Sequence, residues 1–227
     1  MPAKNILKDY VENGYYHIYN RGVEGRNIFM DERDYKVFLH LLKRYLTPTV
    51  PNPEEIRPRF NIHIHDKIQL IAYCLMPNHF HLMIKQFTKE AITLLMRSLG
   101  NSYVYYFNKR YERRGPLYQG RYKAVLIENE PYFLHLTRYI HLNPLDKLDK
   151  DGPRSRTDPA TVEEHPYSSY GEYLGRRKTE WVHPEEILTF FKTAQKTSLK
   201  DILSYQSFVE DYLEDSKEIL GPLVLEE

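Results

Sequence analysis

The chain has a single cysteine, Cys74, in 227 residues. One thiol excludes an intramolecular disulfide framework and a zinc cluster built from cysteines. No apolar run approaches the ~20 residues that a membrane-spanning helix needs, and Met1-Pro2-Ala3-Lys4-Asn5 lacks the apolar stretch of a secretory signal. Internal repeats and low-complexity tracts are missing as well. Net charge is scarce, +1 at neutral pH, so the whole-chain total argues neither for nor against a polyanionic partner. These absences lead to the expectation of a soluble cytoplasmic protein that stays off membranes. What is present supports a packed core, because 41% of the residues are hydrophobic and 28% charged, outside the range of disordered chains.

The near-zero total hides a segregated distribution. Arg97, Lys109, Arg110, Arg113, Arg114, Arg121 and Lys123 lie close in sequence, with Glu112 the only acid among them. The end of the chain is opposite in sign, with Glu210, Asp211, Glu214, Asp215, Glu218, Glu226 and Glu227 against Lys217. A basic middle balanced by an acidic end is compatible with a phosphate-binding surface. Tyrosine is abundant, 20 residues against 10 phenylalanines, and aromatics interleaved with bases suit stacking on unpaired nucleotides. Taken singly, each tyrosine reads equally as core.

Periodicity gives the organisation. Tyr15 to Asn20 alternates and is aromatic, which predicts a strand. Asp31 is placed to cap a helix carrying Tyr35, Phe38, Leu39, Leu42 and Tyr45. Prolines 48, 51, 53 and 58 mark a loop. Ile68 to Met76 and His79 to Lys85 read as strands, with Pro77-Asn78 either their hairpin turn or a kink near it. A helix is predicted from about Lys89 to Arg113, stopped by Gly115-Pro116. A fourth strand is predicted over Tyr122 to Ile127, then a helix opened by Glu130-Pro131 and closed by Pro144. The order β-α-β-β-α-β-α predicts an α+β fold: a ferredoxin-like split β-α-β with a four-stranded antiparallel sheet, one further helix and a mainly helical C-terminal extension. The division falls at residues 1–150 and 151–227, with 147–164 as linker.

Two residue pairs carry chemistry. Residues two apart on a strand share a face, so His79 and His81 can offer two imidazoles to one metal ion while Phe80 points into the core. His63 and His65, beside Asp66, form a second such pair at a strand entry, where a solvated position is the simpler reading. On a helix, Tyr139 and Asn143 lie one turn apart on one face. The Asn143 amide oxygen is a third ligand in that geometry, with water and phosphate completing a shell suited to Mg²⁺ or Mn²⁺. An asparagine before a proline equally just ends a helix.

Met76-Pro77-Asn78-His79-Phe80-His81-Leu82 resembles the His-hydrophobe-His motif of single-tyrosine HUH transposases, and the neighbouring segments resemble the REP-associated branch of that family. Tyr16 to Gly22 is similar to its first strand. Tyr106 to Arg110 and Gly115 to Lys123 are similar to its basic segment, and Arg138 to Pro144 to its nucleophile helix. Pro166 to Tyr170 is similar to a segment that follows the core. The resemblance implies that His79, His81 and Asn143 hold a divalent ion and that Tyr139 is the nucleophile. Where the insertion-sequence branch has glutamine, this chain has the shorter Asn143. The resemblance further implies DNA contacts from Lys109, Arg110, Arg113, Arg114, Gln119, Arg121 and Lys123. The implied activity is transposase-like: metal-dependent nicking and joining of single-stranded DNA at hairpin-associated sites through a 5′-phosphotyrosine, near the nucleoid. Some relatives exchange the nucleophile helix within a homodimer and others act alone. The rival reading is a domesticated hairpin-DNA-binding protein that no longer cuts. A metal-independent phosphoesterase with two catalytic histidines fits poorly, since those histidines belong on separate strands. The acidic C-terminal extension is expected to modulate access to the basic surface.

Overall fold

Alternation along the strands sorts side chains to two faces, and the helices follow. The computed structural model describes residues 10–48, 64–144, 165–194 and 204–210. Its elements are β1 (Tyr15–Arg21), α1 (Glu32–Leu46), β2 (Ile68–Met76), β3 (His79–Gln86), α2 (Ala91–Arg110), β4 (Lys123–Leu126) and α3 (Glu130–Leu142). Three short helices follow: α4 (Tyr170–Tyr173), α5 (Glu185–Ala194) and α6 (Tyr205–Glu210). The strands form one antiparallel sheet in the order β2-β3-β1-β4, the split β-α-β arrangement read from the sequence. Tyr16, Ile18, Phe80, Leu82 and Ile84 point to one face and pack with the apolar stripes of α1 and α2. Met83 points to the other, where it joins Tyr139 and Ile140 of α3 in a second core.

Local chemistry sets the helix ends. Asp31 accepts hydrogen bonds from the N–H groups of Arg33 and Asp34, and Asn129 accepts one from Tyr132, so both helices that begin there have their first donors satisfied. Helix α2 is shorter than its sequence pattern. It ends at Arg110, and the chain turns at Glu112, whose φ of 50° is left-handed, before Gly115-Pro116 is reached. The pair Pro77-Asn78 is the two-residue turn of the β2–β3 hairpin, with Met76 opposite His79.

The segment after residue 164 is built onto the sheet. Strand β2 lies at the sheet edge, yet its backbone is covered: Leu75 N–H donates to Tyr167 O, Ser169 N–H to Tyr73 O, and His183 N–H to Leu70 O. His141 of α3 is fully buried between this cover and α6, its Nδ1 2.7 Å from Tyr205 Oη and its Nε2 2.8 Å from Ser169 Oγ. The boundary expected near residue 150, the linker, the acidic tail from Asp211 and His63 lie outside the described residues.

Asp34 is a second buried anchor. Its carboxylate accepts from Arg110 Nη1 at 2.7 Å, from the Tyr106 and Tyr111 hydroxyls at 2.8 Å each, and from Met30 N–H. Replacing it with alanine removes the acceptor of the Tyr106 and Tyr111 hydroxyls and of Met30 N–H, and leaves Arg110 with Asp31 as its one carboxylate. Asp34→Ala is expected to lower stability by about 3 kcal/mol, read from the urea midpoint. Burial holds His141 down at about 3. A depressed histidine binds its proton only when unfolded, so stability is retained above the unfolded value and falls as pH drops below it. From pH 7 to 5 this group removes about 2 kcal/mol. Urea titrations in EDTA are expected to show that loss in the parent chain and its absence in His141→Gln.

Candidate active site: two imidazoles, a carboxamide and a phenol

The turn that starts β3 is pinned from three sides. Pro77 O accepts the N–H groups of Ile28 and Phe29, Asn78 O accepts that of Gly22, and Asn78 Nδ2 donates to Gly25 O. Gly22 is required here, because a Cβ would lie 2.0 Å from Arg26 O. This anchoring aims His79 at α3, where its Nε2 is 2.9 Å from Asn143 Oδ1, while its Nδ1 is 2.7 Å from Asn78 Oδ1. Two residues on, His81 is wholly buried, its Nδ1 2.8 Å from His17 Nε2 of the neighbouring strand. Burial, with His79 and His17 beside it, holds the His81 imidazole well below its usual range, so the ring is neutral and keeps a lone pair.

Tyr139 stands over this pair. Its ring meets those of His81 and His17 edge-on, with centroids 5.4 and 6.2 Å apart, and only 6% of the residue is exposed. The phenol therefore faces the histidines from a covered position. Asn143 is the C-cap of α3 and 4% exposed, its Nδ2 donating to Tyr139 O. The sequence-predicted set of His79, His81, Tyr139 and Asn143 is thus brought to one place.

The donors have the character of a divalent-cation site. No group of three His, Cys, Asp or Glu that could hold a metal occurs among the described residues, so any ion here would rely on the carboxamide. His81 Nε2 is enclosed and has no hydrogen-bond partner. His79 Nε2 and Asn143 Oδ1 stand 2.9 Å apart, so that a cation held there would have one donor from β3 and one from the end of α3. Adjacent ligands of an octahedral ion at ~2.1 Å stand about 3 Å apart, close to the observed separation. The residues fit such an ion.

The expected DNA contacts separate into two groups. Arg110 is engaged within the fold, bonded to Asp31 and Asp34, and Gln119 accepts from Arg21 Nε. Arg113 lies against the Phe107 ring, its centre 5.7 Å from the centroid. Lys109, Arg114 and Arg121 are exposed and form no ion pair among the described residues. Lys123 pairs with Tyr19 across β1 and β4, which puts it on the histidine face. His17, Tyr19, Arg21 and Asn78 were not singled out from the sequence. Their signal was positional, since His17, Tyr19 and Arg21 share a face of β1, but it carries meaning only once β1 is laid beside β3.

A family model described as "Transposase IS200 like" matches residues 59–143, a span that contains both histidines, Tyr139 and Asn143. A search of curated proteins gave no significant match. Among solved structures, the chain is similar to one described as the REP-associated tyrosine transposase bound to a REP hairpin, at a TM-score of 0.50 and 13% identity, over 78% of this chain and 95% of that one. The identity is low enough that this likeness concerns the fold alone. Residues 59–143 thus match the IS200-like transposase family model, and the chain has a fold similar to that of a REP-associated tyrosine transposase.

Proposed function

We propose that the chain nicks and rejoins single-stranded DNA beside a hairpin, with Tyr139 as nucleophile and His79, His81 and Asn143 as ligands of Mg²⁺ or Mn²⁺. The observation that carries the reading is the convergence of a phenol, a carboxamide and two imidazoles from α3 and β3, residues 64 apart in sequence at their closest bonded pair. The hairpin bound by the structural neighbour supports the choice of substrate.

A phenol of pKa ~10 is a weak nucleophile at neutral pH. His79, His81 and Asn143 would hold the ion, which when bound would supply charge compensation at a non-bridging phosphate oxygen. Tyr139 Oη gives up its proton to solvent and attacks phosphorus in line, a Tyr–O–P bond forms, and the bond from phosphorus to the 3′ oxygen breaks. The 3′ oxygen takes a proton and leaves as a hydroxyl. The phosphodiester is kept on the tyrosine, so attack by another 3′-hydroxyl rejoins DNA without a nucleotide cofactor. His17 has a positioning role: by accepting from His81 Nδ1–H it leaves Nε2 as the ring's free lone pair. Asn78 does the same for His79.

Incubation of the protein with a hairpin-bearing single-stranded oligonucleotide and Mn²⁺ is expected to give a covalent adduct on denaturing gels, lost with EDTA and in Tyr139→Phe. Retention of the oligonucleotide without adduct in the parent chain would instead make it a binder, a reading favoured by the small exposure of Tyr139. His17→Phe is expected to weaken Mn²⁺ binding about 10–100-fold by calorimetry while Tyr139→Phe leaves it unchanged.

A further inference from the structure

On the other face of the sheet, between α2 and the β4 edge, lies a cavity of about 890 Å³, within the ~300–1,000 Å³ range of pockets that hold small ligands. Phe38 and Phe80 form its floor, and Phe80 is the residue between His79 and His81, so one strand's thickness separates the cavity from the candidate active site. Tyr10, Tyr118 and Tyr122 supply rings to its walls. Arg97 and Arg121 stand at its rim, exposed and without an ion pair among the described residues.

Gly100 of α2 lines the cavity from within the helix. A glycine inside a helix destabilises it relative to alanine. Such a residue is explained when a neighbour crowds the missing Cβ, but a Cβ on Gly100 would meet nothing within 4 Å. The chain itself does not need the space, and the space opens into the cavity. Asn101, also at the wall, is exposed and makes no hydrogen bond among the described residues. From it an exposed stripe continues along α2 at four-residue spacing, Tyr105 (69% exposed) and then Lys109.

We infer that this cavity takes an unpaired nucleobase of the DNA strand, with neighbouring phosphates on Arg97 and Arg121. Flat rings bordered by cations and an uncommitted amide match a base joined to phosphates. A strand, rather than a free nucleotide, is favoured by continuity across the β4 edge. Tyr122 faces the cavity, and the next residue, Lys123, faces the histidines. A strand passing over this edge reaches both faces. The inference rests on the proposal that DNA is the substrate, but not on cleavage.

The test uses the full-length chain in EDTA, where no cutting occurs. The probes are the four deoxynucleoside 5′-monophosphates and single-stranded dA, dC and dT oligonucleotides of about 12 nucleotides. Gly100→Leu fills the cavity where no protein atom stands in the way, and a melting temperature no lower than that of the parent chain shows that it folds. The expected result is binding of at least one oligonucleotide more tightly than its mononucleotide, weakened about tenfold or more by Gly100→Leu. Gly100→Ala is expected to bind as the parent does. Equal oligonucleotide affinity in the parent and Gly100→Leu overturns the cavity proposal and leaves the DNA reading intact. Binding of mononucleotides alone assigns the cavity to a free nucleotide and also overturns it. Failure of every oligonucleotide to bind the parent overturns both.

Discussion

His81 lies in the interior of the sheet, with one ring nitrogen 2.8 Å from His17 and the other turned toward no partner. That arrangement holds only on a central strand. With β2 on one side and β1 on the other, β3 has its backbone groups consumed by neighbours, and its side chains are kept from water by the layers above and below. The imidazole is then neutral because of where it is, and its orientation follows from a bond across the strand pair rather than from solvent. His79 is different. It is half-buried at the start of the strand and owes its direction to a turn pinned by Ile28, Phe29 and Gly22. One histidine is set by depth and the other by a turn.

The phenol that meets them is set by the segment after residue 164. Helix α3 crosses the histidine face, and its own cap, Asn129, satisfies its first turn only. Its far end is held by His141, gripped between Ser169, which is bonded to the β2 edge, and Tyr205 of α6. Tyr139 and Asn143 flank His141 at two residues on either side. The group that anchors the helix therefore projects to the opposite side from the two that face the site, which is what a period of 3.6 residues requires. The C-terminal part thereby serves as a brace for α3 as well as a cover for an edge strand.

Much of this was legible because it is periodic. The ends of β2 and the start of β3 could be read from one unbroken apolar run, a Pro-Asn interruption and a resumed alternation. Helix α2 was read too long because Gly115-Pro116 was taken as its stop, whereas the chain leaves the helix through a left-handed Glu112 that no pattern announces. The motif at His79 and His81 was visible, since residues two apart on a strand share a face and the flanking segments resemble those of a known family. His17 was not, since a lone histidine on a strand acquires its role only from the β1–β3 register. The cover over β2 was not read either: backbone bonds at Tyr167, Ser169 and His183 make most of it, with the Ser169 hydroxyl adding to them, and backbone bonds leave no side-chain signature.

Charge shows the same limit from another side. In sequence, Arg110 and Arg121 are equivalent members of one basic cluster. In the fold, Arg110 is taken up by Asp31 and Asp34, which come from 79 and 76 positions away, while Arg121 stands at the rim of a cavity. Lys36, Lys85 and Arg177 are likewise matched, by Glu32, Glu186 and Glu172. The near-zero total arises partly from such pairs, and these contribute little field beyond their own contacts. At physiological salt, exposed charges act over about 8 Å. A phosphate near α2 and the β4 edge therefore responds to the exposed bases close to it, such as Arg97, Lys109, Arg114 and Arg121, not to the sum over the chain. Within the basic cluster read from the sequence, pairing in the fold withdraws Arg110 and leaves Arg97 and Lys109 on α2, Arg114 just beyond it and Arg121 before β4, where a strand crossing from the cavity to the histidine face would pass.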